Sequence, residues 1–266
     1  GTQAVDWIQV FKGHAFDVCE IPTLNQLQTW YLSSPYKAVN LYIGGISRAC
    51  SNKPLSSAYI RSIYLQGWRL IPTWVGHQAP CTKFKYPFPY DVNQAYQYGV
   101  NNANQASARL KEYGLTNPDG TGSVVYLDVE HFAYSSACSA AARAYINGWT
   151  TRLAQLGIHS GLYSSSTNIR DNKYYNLGTP PAVVWIAEWY TNPGFRPDET
   201  VWNLRYLSND YWIYNQRILQ YCGTHSETWG GVSISMDSNV AEGVVAVPYG
   251  APNLTQNRVW LPILRK

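Results

Sequence analysis

Charge is scarce in this sequence. Of its 266 residues, 14% are Asp, Glu, Lys or Arg, against roughly 25% in an average soluble protein. The net charge is +4, but no Lys/Arg run or basic helix concentrates it, which sets aside a nucleic-acid partner. No apolar run approaches the roughly 18 residues of a membrane span, so none is expected. The five cysteines, at 19, 50, 81, 138 and 222, contain no C-x-x-C pair, which excludes zinc-ribbon and redox-motif readings on spacing. His14, His77, His131, His159 and His225 show neither H-x-H nor H-E-x-x-H spacing, which argues against a zinc hydrolase. There is no G-x-S-x-G elbow. "YIGGIS" lacks both the Lys of a phosphate loop and the third Gly of a dinucleotide fingerprint, so its glycines read as turn residues. Internal repeats and low-complexity segments are absent.

Aromatic residues are plentiful at 15%, led by 22 Tyr and 11 Trp. With so little charge, the surface must be covered by Asn, Ser, Thr, Gln and Tyr, a habit that suits extracellular proteins. Tyr and Trp rings also suit the apolar faces of sugars, although most will fill the core. The mild basic balance favours approach to an acidic cell-wall polymer. The chain opens at Gly1 without a leader-like segment, as expected of a processed or trimmed form. In an oxidising compartment up to two disulfides form and one thiol is left over. Cys50 and Cys81, both in loops after expected strands, are the first expected pair; Cys19 and Cys222 read as strand-end residues or free core thiols.

Short apolar strands alternate with helical stretches. Strands are expected at 14–19, 38–45, 69–76, 123–130, 160–165, 183–189, 217–222 and 234–239, and helices at 23–33, 55–67, 92–114, 138–157 and more weakly 167–176. "ARLKEYG" and "TRLAQLG" both close on the Gly that commonly ends a helix. Strands apolar throughout and separated by helices imply a parallel sheet buried on both faces. Eight of them, in a chain near the ~250 residues usual for the fold, imply an α/β (β/α)8 TIM-like barrel; an open doubly wound sheet is the alternative. Residues 190–216 carry no clear helical pattern. The gap between the seventh and eighth strands is about eleven residues, short for a crossover of roughly 10–12 or more, so the last two strands should pair as an irregular hairpin. The expectation is one monomeric domain over 1–266, with its core at 14–245 and a Pro-containing tail at 246–266 wrapping the barrel.

Chemistry in such barrels gathers at the C-terminal strand ends. Those ends bring up Asp17, Trp74, Asp128 with Glu130, Tyr163, Glu188, Gln220 with Tyr221, and Asp237. Five carboxylates at strand ends, in a chain with 16 acids, are the leading clue. Along a strand, residues i and i+2 share a face, so Asp128 and Glu130 of "SVVYLDVEHF" project together. Two close carboxyls repel, and one keeps its proton nearer neutral pH beside a permanently charged partner. Acid-assisted glycoside cleavage requires that division. A D-x-E pair also binds divalent cations or meets an Arg. Asp17 equally suits a helix N-cap and Asp237 an Asx turn. Glu188 alternates out of phase with Trp185 and Trp189, while His131 reads as a surface histidine. Two aromatic loops, 76–91 and 201–214, are candidate walls of a cleft, or pin themselves to the body.

"FDVCEIPT", "LYIGG", "GWRLIPTWVG", "VVYLDVEHF", "INGWTTRLAQLGIHSGLYSSS", "WIAEWY", "LQY" and "MDSNV", in that order, resemble the bacterial glycoside hydrolase-like family known as domain of unknown function 1906. That family is similar in turn to the family-25 glycoside hydrolases, N-acetylmuramidases with an incomplete barrel. The resemblance implies Glu130 as general acid and Asp128 as its assisting partner, with Asp17 and Asp237 lining the floor. Gln220 and Tyr221 would match a "WQY" strand, with Leu219 in place of the Trp, and the resemblance gives Glu188 no defined role. The expected activity is a secreted or cell-wall glycosidase acting on a polysaccharide such as peptidoglycan, without metal or organic cofactor. The expected glycan contacts are Asp17, Asp237, Glu188, Gln220, Tyr221, Trp74 and Tyr163. The rivals are a non-catalytic glycan-binding module and a metal-dependent phosphodiesterase using Asp17, Asp128, Glu130 and Asp237.

Overall fold

The computed structural model describes residues 8–254. Its eight strands close into one barrel in sequence order: β1 (Ile8–Asp17), β2 (Tyr36–Gly44), β3 (Arg69–Trp74), β4 (Val124–Asp128), β5 (His159–Ser165), β6 (Val183–Ala187), β7 (Arg217–Trp229) and β8 (Val232–Ala246). The first seven run parallel. β8 runs antiparallel to both β7 and β1 and closes the ring. This is the expected α/β barrel with its irregular last pair.

Helices α1 (Leu24–Ser33), α2 (Ser57–Gln66), α3 (Val92–Glu112), α4 (Ser136–Gln155) and α5 (Ser166–Asp171) cover the outside. Each begins on a side-chain cap, from Thr23, Ser56, Asp91, Ser135 and Ser165, which satisfies amides that the first turn cannot. α3 and α4 lie closely against each other because Gly99 and Gly148 face one another's backbones. A Cβ on Gly99 would stand 1.9 Å from the Tyr145 carbonyl oxygen, and one on Gly148 2.1 Å from that of Tyr96. The weak helix expected at 167–176 divides into α5 and a short 3-10 turn at Tyr174–Asn176.

The hairpin is longer than expected. Gly230 and Gly231, with φ of 58° and 80°, make its turn, the conformation a two-residue hairpin loop demands. β1 likewise starts at Ile8 rather than 14, because the long β8 pairs with it from Ile8–Ala246 to Asp17–Asp237.

No helix joins β6 to β7. The crossover over 190–216 is instead gathered around the fully buried Arg217. Its guanidinium donates to Asn209 Oδ1 at 2.7 Å, to the Tyr211 and Trp212 carbonyls and to the Ser208 and Val201 carbonyls, and it lies over the Trp202 ring. A buried charge is tolerable only when so fully hydrogen-bonded; burial pushes its pKa down to about 10. The aromatic residues of 201–214 therefore mostly pin this segment to the barrel: Tyr211 stacks on Tyr175 and Trp212 donates to the Pro181 carbonyl.

The disulfides differ from the expected Cys50–Cys81 pair. Cys19 bonds Cys50 and Cys81 bonds Cys138, leaving Cys222 as a buried thiol. Neighbouring parallel strands deliver their following loops to the same end of the barrel, so the segment after β1 meets the loop after β2. By the same logic the loop after β3 reaches the start of α4. Of the tail, β8 takes residue 246, and Tyr249 and Pro252 lie outside the barrel against Gly114 and Tyr64; residues 255–266 lie outside the described residues. Among the described residues no helix is long and apolar enough to cross a membrane.

Candidate active site

The reversal of β8 builds one wall of the site. Because it runs against β1, Asp237 falls directly opposite Asp17 at the mouth, and directly opposite residues share a face. Asn239, two residues on, faces inward as well, opposite Gln220 of β7. Gln220 Nε2 donates to both Asp17 oxygens at 3.2 and 3.0 Å and to Asp237 Oδ2 at 3.1 Å. Asn239 Nδ2 donates to Asp17 Oδ2 at 2.7 Å, and its own Oδ1 accepts from Trp185 Nε1 at 2.7 Å. Gln220 Oε1 in turn accepts from the Tyr163 hydroxyl at 2.9 Å and from Trp189 Nε1 at 2.8 Å. One glutamine thus orients two acids on one side and two aromatic residues on the other.

The second wall carries Asp128 and Glu130. Asp128 ends β4 at 6% exposure, while Glu130 is half-buried and borders two cavities. The two carboxyl groups border the same cavity, close enough for the Glu130 charge to act on Asp128. Gln78 holds their backbone: its Nε2 donates to the Asp128 carbonyl at 2.8 Å, and its Oε1 accepts from the Glu130 amide at 2.9 Å.

Burial decides where protons rest. Asp128 has its pKa raised well above the usual carboxylate range, first by burial and then by the Glu130 charge beside it. Asp17 is raised in the same way, by burial and by Asp237. The three N–H bonds to Asp17 favour its anion but do not overcome these effects. Asp237 is also raised, chiefly by burial, while Thr224 and His225 oppose the shift. Burial thus shifts the two deeper aspartates, Asp128 and Asp17, towards their protonated forms. The D-x-E spacing pointed to the cavity that Asp128 and Glu130 share, but not to depth below the mouth.

Three adjoining cavities form the cleft. The first, about 220 Å³, is lined by Tyr42, Arg48, Gln78, Phe84, Asp128 and Glu130. The second, about 290 Å³, is lined by Glu130, His131, Tyr163, Ala187 and Trp189. The third, about 220 Å³, holds Asp17, Tyr42, Thr224 and Asp237. Glu130 is common to the first two and Tyr42 to the first and third, so the first cavity links the other two.

Three expected contacts lie elsewhere. Trp74 turns towards α3, its Nε1 donating to Asn102 Oδ1 at 2.9 Å. Tyr221 alternates outward from Gln220 and packs with Val201, Leu219, Cys222 and Val240, its hydroxyl accepting from the Arg196 amide at 3.2 Å. Glu188, out of phase with Trp189, accepts from the Arg205 amide at 2.7 Å and pairs with that guanidinium at 3.4 Å. Conversely, the structure adds Tyr42, Gln78, Trp189 and Asn239 to the site. Strand alternation carries the signal for Tyr42, on the inward face of β2; nothing local marks Gln78, which reaches the site from a loop. Among the described residues, no three His, Cys, Asp or Glu side chains converge in a metal-binding arrangement.

An acid-lined mouth on a barrel of this topology accords with the family comparison, which matches residues 28–241. The chain belongs to the Rv2525c-like, glycoside hydrolase-like domain family. No curated protein matches it. Its fold is similar to that of an uncharacterised B. stearothermophilus protein, with 15% identity, a TM-score of 0.55, and 86% of this chain and 95% of the other covered. A muramidase from Acremonium alcalophilum shares the fold at 14% identity and a TM-score of 0.51, covering 87% and 94% of the two chains. The Clostridium perfringens spore cortex lytic enzyme SleM does so at 15% identity and 0.53, covering 86% and 67%. At these identities the likeness is one of fold.

Proposed function

We propose that this protein is a secreted glycoside hydrolase that cleaves a cell-wall or extracellular polysaccharide, peptidoglycan being the first substrate to test. The observation that carries the reading is the Asp128–Glu130 carboxyl pair, one member buried and proton-retaining, the other exposed to a cleft with cavities on both sides. A polysaccharide crossing the cleft would present a glycosidic oxygen at Glu130. Burial favours a proton on Asp128, directly beside Glu130 at the cleft. Glu130 passes that proton to the leaving oxygen, and the negative charge left on the pair then faces the developing oxocarbenium centre. Asp237, held by Gln220, adds a second acid across the cleft.

Trp189 is 53% exposed yet fixed through its indole N–H, which suits a platform for a sugar face. Two disulfides support an oxidising, extracellular compartment. The names of two structural neighbours, a muramidase and a spore cortex lytic enzyme, support a cell-wall substrate. The direct test is release of new reducing ends from a panel of cell-wall polysaccharides by the parent and by Glu130→Gln. Release by the parent alone supports the reading, and release by neither removes it in favour of a glycan-binding module.

A further inference from the structure

Arg48 is the only Lys or Arg among the residues lining the three cavities of the cleft. It borders the first cavity together with Phe84, Gln78 and Glu130. Among the described residues its guanidinium forms no ion pair with the nearby acids. Its one hydrogen bond runs from Nη1 to the Tyr42 carbonyl at 3.2 Å, which leaves donors uncommitted. Arg48 is also held ready. Its loop is tied to the end of β1 by the Cys19–Cys50 disulfide. The buried Asn52 fastens the same loop, donating to the Cys19 carbonyl at 2.9 Å and accepting from the Ile21 amide at 2.8 Å. Ser47, beside it on the cavity wall, has a buried hydroxyl with no hydrogen-bond partner.

A cleft with four carboxyl groups would repel an anionic ligand unless some charge were removed or countered. Both occur here. Burial keeps protons on Asp128 and Asp17, and an unpaired guanidinium stands on the wall of the first cavity. Planar guanidinium matches a carboxylate through two parallel N–H bonds.

We propose that Arg48 is a specificity residue that reads a carboxylate carried by a pyranose ring, seated in the cavity between Phe84 and Glu130. The proposal rests on the glycan-hydrolase reading and names the chemical class of its substrate. Two sources share this chemistry: the lactyl ether of peptide-free bacterial glycan strands, and the uronate of an acidic polysaccharide.

The test offers each polymer in two forms, as isolated and with its carboxyl groups reduced to alcohols, to the parent, Arg48→Gln and Arg48→Lys. The parent should favour one carboxylated polymer over its reduced form by about tenfold in kcat/KM, the scale of one charge-assisted contact. The difference should reside in KM, and whichever polymer shows it identifies the source. Arg48→Gln should bring that ratio close to one, and Arg48→Lys should restore part of it. Equal treatment of both forms by the parent overturns the proposal while leaving the hydrolase reading intact. So does an equal loss on both forms in Arg48→Gln, which would mark Arg48 as a loop anchor. If the parent cleaves none of the polymers, the hydrolase reading falls, and the same pairs are titrated by calorimetry. Carboxylate-dependent binding that Arg48→Gln abolishes then sustains the proposal, and its absence overturns it.

Discussion

Gln78 grips Glu130 by its backbone: the Glu130 amide donates to Gln78 Oε1 at 2.9 Å, while Gln78 Nε2 donates to the Asp128 carbonyl at 2.8 Å. A side chain from the loop after β3 therefore sets the orientation of the segment that follows β4. Gln78→Leu would leave both main-chain groups unpaired. Loss of such positioning costs on the order of 100-fold in rate, so kcat on the best cell-wall substrate should fall by about that factor with KM little changed. Steady-state kinetics on a folded variant checks this.

Asp128 gives a stability prediction with a defined sign. Its pKa is raised in the folded state from an ordinary value of 3.8. Below that value both states are protonated and the group contributes nothing to the difference. As pH rises, the unfolded chain releases its proton first, so the folded state loses stability progressively through the window above 3.8. Asp128→Asn removes this cost. Its melting temperature should exceed the parent's at pH 7, and the gap should close towards pH 4, while activity falls. Thermal unfolding across pH 4 to 8 measures both.

The carboxyl pair also predicts the alkaline limb of the activity profile. Turnover needs the proton held at Asp128, so kcat/KM should fall as pH rises through its raised ionisation. In Asp128→Asn that limb should move, because the pair no longer exists. A pH–rate profile of both proteins decides it.

Trp189 and Glu188 are adjacent in sequence and opposite in consequence. Trp189→Ala removes the exposed ring beside Glu130 and should raise KM roughly tenfold, about 1.4 kcal/mol. Glu188→Gln alters a carboxylate bonded to the Arg205 amide and guanidinium outside the cleft. It should leave kcat/KM within about twofold while lowering stability by about 1–3 kcal/mol, because the carboxylate is largely buried and accepts the Arg205 amide. Parallel kinetics and melting curves on the two variants separate the roles.

The Cys81–Cys138 bond joins positions 57 residues apart and anchors the loop that carries Phe84. The Cys81→Ala/Cys138→Ala double variant should lose about 2–4 kcal/mol of stability. Its KM should rise as the Phe84 wall loosens. Denaturant unfolding and kinetics at a temperature where the variant stays folded check both effects.

The barrel was legible in the sequence because its period is simple: apolar strands separated by capped helices, with a short final connection. The D-x-E spacing at the end of β4 likewise pointed to the cavity that Asp128 and Glu130 share. What the sequence hid were relations across the barrel. Tyr221 follows Gln220 and looks like part of one motif, yet alternation turns it outward. Trp74 ends its strand on the helix side, and Gln78 arrives from a loop with no periodicity to read. The Cys50–Cys81 expectation failed because pairing depends on which loops the closed barrel makes neighbours. Burial raises the pKa of Asp128, and depth is something that spacing does not report.

The most direct measurement follows new reducing ends from purified peptidoglycan and other cell-wall polysaccharides with the parent and Glu130→Gln, alongside binding of the same polymers by both. The account predicts release by the parent, loss of release in Glu130→Gln, and binding retained in that variant. Binding by both proteins without release by either would contradict it.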